Sequence, residues 1–241
     1  MRSFFLYLVL VFTISFAQAS DHAREQRWAD EILPAVLDGD PVWLDQDEGR
    51  KFLGLFIEAD KTRGAVIVVH GMGVHPDWGI NSILRIRLAE QGYSTLSIQM
   101  PVHDASATPG DYVASFPEAN GRIGKAAAWL RDKGFDRIAV VSHSLGGRMV
   151  RAYFLANPAG PIKAWAALSM GFDDFEGVTV PVLDIYTEHD HMPVLNLVAD
   201  HKRTLVHPAS AQHMIPATGH FYEGREAEAG NLVREWLDKV L

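Results

Sequence analysis

The run Ala65-Val66-Ile67-Val68-Val69 offers no polar side to water. A strand that alternates apolar and polar residues keeps one face wet, whereas a continuous β-branched run suits a strand covered on both faces, as in a parallel sheet. Further strands are read at Ser94–Ile98, Ile138–Val141, Ala164–Leu168 and Val180–Tyr186. Between them apolar residues recur at helical spacing. Residues 80–91 repeat Ile80, Ile83, Leu84, Ile86 and Leu88 and stop at Gly92. Helices are also expected over 119–133, from Gly147 to Ala156, and through the C-terminal face of Leu232, Val233, Trp236, Leu237 and Val240. Strands alternating with helices predict an α/β fold, a mostly parallel central sheet with helices on both faces. Ahead of it, residues 41–46 and 51–58 flank the turn signal Asp47-Glu48-Gly49, which predicts an N-terminal antiparallel hairpin. Residues 21–37 read as a helix whose second half is weakened by Pro34.

The first residues form a separate object. Arg2 precedes an apolar run of 13 residues, Phe4 to Phe16, too short to span a bilayer comfortably. Ala17-Gln18-Ala19 then supplies the small-x-small pattern of a signal-peptidase site. Residues 1–19 are therefore expected to be a signal peptide, leaving 20–241 as one domain, periplasmic or secreted, with no stable membrane anchor. The chain has no cysteine, which excludes disulfides, thiolate metal sites and a cysteine nucleophile. With 30 acidic against 22 basic side chains the net charge is −8, so the basic footprint that nucleic acid requires is missing.

Chemistry concentrates in Ile138-Ala-Val-Val-Ser-His-Ser-Leu-Gly-Gly-Arg148. A buried strand runs into Ser142-His143-Ser144-Leu145-Gly146-Gly147 and a helix follows at once, the setting of a nucleophile elbow. The turn lifts the Ser144 hydroxyl off the backbone, and the helix N-terminus beneath it favours developing negative charge. The residues flanking such a serine must be small. Here they are Ser142 and Gly146, with serine in place of the usual first glycine.

A second loop, Val69-His70-Gly71-Met72-Gly73, follows the first parallel strand. Its position nominates the backbone N–H groups of Met72 and Leu145 as the two donors of an oxyanion hole. His70 is read as structural. A serine nucleophile needs a base, and the base an orienting acid, in the chain order Ser, Asp, His. Asp190 comes just past the strand Val180–Tyr186, and His220, after Gly219, directly precedes the C-terminal helix. Ser144, Asp190 and His220 are the expected triad. Asp184 within the strand and His213, seven residues before His220, stand behind them as alternatives. Glu188, His189, Asp190 and His191 lack the helical histidine pair of a zinc site, so no metal is expected.

On His70-Gly71, the Ser144 elbow, Asp190 and Gly219-His220, the chain resembles the α/β-hydrolase superfamily. Through Val69-His-Gly-Met-Gly-Val-His-Pro-Asp-Trp78, Leu96-Ser-Ile-Gln-Met-Pro101 and Pro181-Val-Leu-Asp-Ile-Tyr186 it looks like a proteobacterial α/β-hydrolase-like family labelled only as a domain of unknown function. The superfamily implies acyl transfer to water without a cofactor and leaves the substrate open. Only about ten residues separate the strands ending near Ser169 and starting near Val180, below the dozen of an ordinary parallel crossover. That connection should lack its helix and leave no room for a lid domain, so loop 101–118 and residues 72–79 with Trp78 should shape the pocket. The expectation is an exported serine hydrolase of a small-molecule ester, thioester or lactone. Its rival is a non-catalytic envelope or binding protein on the same fold.

Overall fold

A computed structural model describes residues 20–241, and the expected signal segment 1–19 lies outside the described residues. The strands are β1 (Asp40–Asp45), β2 (Lys51–Ile57), β3 (Ala65–Val69), β4 (Ser94–Ile98), β5 (Ile138–His143), β6 (Ile162–Leu168), β7 (Val182–His189) and β8 (Ala211–Gly219). The helices are α1 (His22–Ile32), α2 (Ile80–Glu90), α3 (Phe116–Asp132), α4 (Leu145–Ala156), α5 (Met192–Leu195), α6 (Val198–Thr204) and α7 (Glu226–Val240). All eight strands join one sheet in the order β1-β2-β4-β3-β5-β6-β7-β8. β1 and β2 form the antiparallel hairpin, with Asp45 opposite Lys51, and β2 runs antiparallel to β4. From β4 through β3, β5, β6 and β7 to β8 every pairing is parallel.

Alternation along the apolar runs divides the interior in two. Ile67 and Val69 of β3, Ile138 and Val140 of β5, and Trp165 of β6 point to one face, where α3 brings Ile123, Ala127 and Leu130 and α4 brings Met149 and Phe154. Val66, Val68, Ala139, Val141 and Ala166 point to the other, against Leu84 and Leu88 of α2 and Val233, Trp236 and Leu237 of α7. A continuous apolar run is what two-sided burial demands, since successive side chains leave a strand in opposite directions.

The departures from expectation have local causes. α1 stops at Ile32, and Pro34 falls in a 3-10 turn over Leu33–Ala35. α3 begins at Phe116, earlier than the apolar pattern implies, because Pro117 sits in its first turn, where the missing N–H costs nothing. β7 starts at Val182, after Pro181, and runs on to His189. α5 and α6 fill the connection from β7 to β8, where no helical period is legible. Residues 169–181 join β6 to β7 without a helix, as the short spacing requires. Pro216 is tolerated in β8 because that strand lies at the sheet edge.

The ends of β3, β5, β6, β7 and β8 fall along one edge of the sheet. In parallel α/β sheets that carboxyl edge is where sites are built.

Candidate active site

β5 feeds α4 through a single residue. Ser144 holds φ 54 and ψ −126, a left-handed conformation that a side-chain-bearing residue adopts only when its surroundings enforce it. Enforcement comes from both sides. The Ser144 N–H bonds to the Leu168 carbonyl at 2.8 Å. The first turn of α4 presses so closely on the end of β3 that a Cβ on Gly146 would meet the His70 and Val69 carbonyl oxygens at 2.5 and 2.7 Å. Only glycine fits there. The first flanking position carries Ser142, whose Oγ accepts a 2.8 Å hydrogen bond from Nε1 of the buried Trp165. A hydroxyl there satisfies an indole N–H that would otherwise lie unpaired in the core, which accounts for serine in place of glycine.

His220 stands in the turn between β8 and α7, and Asp190 just past β7. His220 Nδ1 donates to Asp190 Oδ1 at 2.6 Å, and its Nε2 lies 2.9 Å from Ser144 Oγ. With Nδ1 protonated, Nε2 is the acceptor that a serine proton needs. The structure thus brings Ser144, His220 and Asp190 into one hydrogen-bonded line. It does not bring in the two alternatives. Asp184 is buried inside β7 against His201, and His213 is exposed on β8.

Asp190 is held from five directions. Besides His220, the His191 N–H donates to Oδ1 at 2.8 Å. Ser169 Oγ at 2.5 Å and the Thr187 N–H and hydroxyl, each at 3.1 Å, all donate to Oδ2. Burial works to raise this carboxyl, but hydrogen bonds from His220 and Ser169 and the nearby imidazole hold it below the usual carboxylate range. The Tyr222 hydroxyl lies 2.9 Å from Ser169 Oγ and 3.0 Å from the Ile185 carbonyl, so its single proton is shared between these two acceptors. The sequence pattern singled out neither Ser169 nor Tyr222. The signal for Ser169 was its place at the carboxyl end of β6, on the same edge as the elbow.

Two further histidines support the loops. His70 is fully buried, and its Nδ1 donates to the Gly71 carbonyl at 2.8 Å while Nε2 accepts the Met100 N–H at 2.8 Å. Burial pushes it down to about 3, so it stays neutral and pins the loop after β3. A Cβ on Gly71 would stand 3.1 Å from the Ser144 Cβ, so this loop passes directly over the elbow. His143, pushed by burial and by the neighbouring His220 down to about 4, donates from Nε2 to the His220 carbonyl at 2.9 Å. On the solvent side His191 stacks on His220, with ring centroids 3.9 Å apart and planes 14° from parallel. Leu145 is the first residue of α4, and Met72 follows Gly71 in the loop over the elbow. Neither N–H enters a backbone hydrogen bond outside the regular elements.

Ser144 opens into a cavity of about 290 Å³. Met72, Val74 and Trp78 wall one side, as expected of residues 72–79. Loop 101–118 contributes only Pro109, a correction to its expected share. Further lining comes from Arg148 of α4, Phe172 on the helix-free connection, Pro193 and Val194 of α5, and Phe221.

This sheet order, with a serine elbow between β5 and α4, is the α/β-hydrolase fold. Dienelactone hydrolase from Anabaena variabilis superposes with a TM-score of 0.69 at 19% identity, over 84% of this chain and 97% of that one. A cold-adapted esterase from an Arctic intertidal metagenomic library gives 0.69 at 18%, over 83% and 93%. Est1E from Butyrivibrio proteoclasticus gives 0.65 at 16%, over 83% and 98%. At such identities the likeness is one of fold. Within that fold, residues 16–127 match the family described as a protein of unknown function, DUF3530. That match ends ahead of the elbow. A search of curated proteins finds no match.

Proposed function

We propose that this chain is a serine hydrolase of a carboxylic ester, thioester or lactone, working through an acyl-enzyme. One observation carries the reading: the imidazole of His220 bridges a buried carboxylate and a strained, pocket-facing serine hydroxyl. Ser144 Oγ attacks the carbonyl carbon as His220 Nε2 takes its proton. The oxyanion receives the N–H groups of Met72 and Leu145, with the α4 N-terminus behind them. As the tetrahedral species collapses, His220 returns the proton to the leaving oxygen or sulfur. Water then attacks the acyl-enzyme by the same route and releases the acid. Asp190 fixes the Nδ1–H tautomer and stabilises the imidazolium, and stays ionised throughout. The esterase and hydrolase names of several fold relatives agree with this class of chemistry.

A fluorophosphonate probe tests the reading. It should label the wild-type protein and not Ser144→Ala. A folded protein that resists labelling would favour the non-catalytic binding module. We further propose that the enzyme is exported after cleavage between Ala19 and Ser20. Among the described residues no helix is long and apolar enough to cross a membrane. Mass spectrometry of the mature N-terminus should begin at Ser20, and a membrane-bound chain retaining Met1 would contradict this.

A further inference from the structure

Most of the pocket's lining surface is apolar, and outside the serine and histidine groups of the site Arg148 is its one charged side chain. Arg148 follows Ser144 by four residues on α4, so its side chain leaves the helix about one turn, roughly 6 Å, along from the nucleophile. The guanidinium is already fixed in direction. Nε donates to Asp173 Oδ2 at 2.6 Å and Nη1 to the Pro109 carbonyl at 3.2 Å. The Phe116 and Phe172 rings stand over it at 5.4 and 5.5 Å. Nη2 has no hydrogen-bond partner among the described residues. Asp173, the paired acid, does not line the pocket, whereas Arg148 does and keeps only 13% of its side-chain surface exposed.

We propose that Arg148 is a substrate-binding residue that selects acyl groups ending in a carboxylate, so that the substrates are half-esters or half-thioesters of short dicarboxylic acids. This inference rests on the serine-hydrolase reading. A guanidinium needed only to tie two loops together is served by Nε and Nη1. Its Nη2 donors find no acceptor among the described residues and are left to solvent or to a ligand that enters the pocket. A carboxylate is the natural one, because arginine binds it with planar, charge-assisted hydrogen bonds. The size of the cavity agrees. It lies near the lower bound of about 300 Å³ for small-molecule sites, which suits a short acyl group. The Asp173 bond and the flanking rings hold the guanidinium before substrate arrives, which limits the ordering that binding must supply.

The experiment compares the p-nitrophenyl half-ester of glutaric acid with p-nitrophenyl pentanoate, equal in chain length and lacking the charge. The wild-type enzyme should favour the glutarate ester. In Arg148→Met the ratio of kcat/KM for the two esters should fall on the order of 100-fold, mainly through KM of the anionic ester, as expected for lost hydrogen bonds to a charged group. Arg148→Lys, which keeps the charge and loses the planar fork, should fall between. Equal losses on both esters, or a wild type indifferent to the charge, would overturn the proposal and leave the hydrolase reading standing. If neither ester is turned over and the fluorophosphonate does not label Ser144, the hydrolase reading falls. The carboxylate site is then decided by glutarate itself. A rise in Tm of the wild type that Arg148→Met lacks supports the site, and no rise overturns it.

Discussion

β7 and its end carry two aspartate–histidine pairs with different prospects. Asp184 Oδ2 meets His201 Nδ1 at 3.1 Å and also accepts from Gln212 at 3.0 Å, and both members of the pair are almost fully enclosed. His201 Nε2 lies 2.9 Å from the Asp173 carbonyl, so both ring nitrogens face acceptors and both must donate. Burial works against the charge, but Asp184 and the Asp173 carbonyl outweigh it and hold this imidazole above its ordinary value. The result is a closed ion pair. Asp190 and His220 are closer, at 2.6 Å, yet the second nitrogen of His220 faces a hydroxyl at the wall of a cavity. Each imidazole has a carboxylate as partner. What separates the strut from the proposed general base is the second nitrogen, closed by a carbonyl in one and open to a hydroxyl in the other.

The largest break in this contrast should come from Ser144→Ala. Its kcat on an activated ester should fall on the order of 10⁶-fold, the loss known for a serine nucleophile. His201→Gln should keep its fluorophosphonate labelling. Next comes Asp190→Asn, which leaves His220 in place but frees its tautomer and should lower kcat about 10⁴-fold. The same change at Asp184 should spare kcat of the folded molecules. A comparable collapse there, measured with the same ester, would erase the distinction drawn between the pairs.

Stability should show the reverse pattern. Breaking the closed pair by His201→Gln strands a buried carboxylate and should cost about 3–5 kcal/mol in urea unfolding. Because the folded value of His201 is raised, its contribution is complete below the unfolded value of about 6.5 and is lost as pH rises through the folded value. The stability gap between wild type and His201→Gln should therefore narrow on the alkaline side, and a gap that widened there would refute the charged pair. The smallest effect is expected at Ser169→Ala. Removing one donor from Asp190 lets that carboxyl rise toward its ordinary range, so activity should be lost at a higher pH on the acid side of the kcat/KM profile, with little change of kcat at neutral pH.

The chain announces some of this architecture and conceals the rest. β3 and the first four residues of β5 are legible because two-sided burial leaves no polar residue in them, and the hairpin because Asp47-Glu48-Gly49 interrupts two extended runs. Positions just past strands directed attention to Asp190 and His220, and the structure sets both beside Ser144. α5 and α6 gave no signal, since helices of 4 and 7 residues are too short to repeat an apolar period. The roles of His201, Ser169 and Tyr222 rest on partners 17 to 53 residues away, and beyond the place of Ser169 at the end of β6 no local pattern marks them. Arg122 belongs with them. Its fully buried guanidinium holds Glu25 at 2.9 Å and Glu118 at 2.6 Å, tying α1 to α3, while in the sequence it passes for one more surface charge on a helix.

Among the described residues five non-glycine residues hold positive φ, and Ser144, Ser169, Phe172 and Tyr222 are four of them, all in the Ser144–His220–Asp190 line, its supporting network or the pocket wall. Each such conformation costs of order 1–3 kcal/mol. A library selected for heat resistance alone would therefore find its easiest gains here, because glycine at these positions relaxes the backbone. The same replacement deletes a hydroxyl or a ring on which the pocket depends. Heat-hardened descendants of this chain should thus be recognisable by new glycines along the carboxyl edge of the sheet and by loss of the proposed hydrolysis.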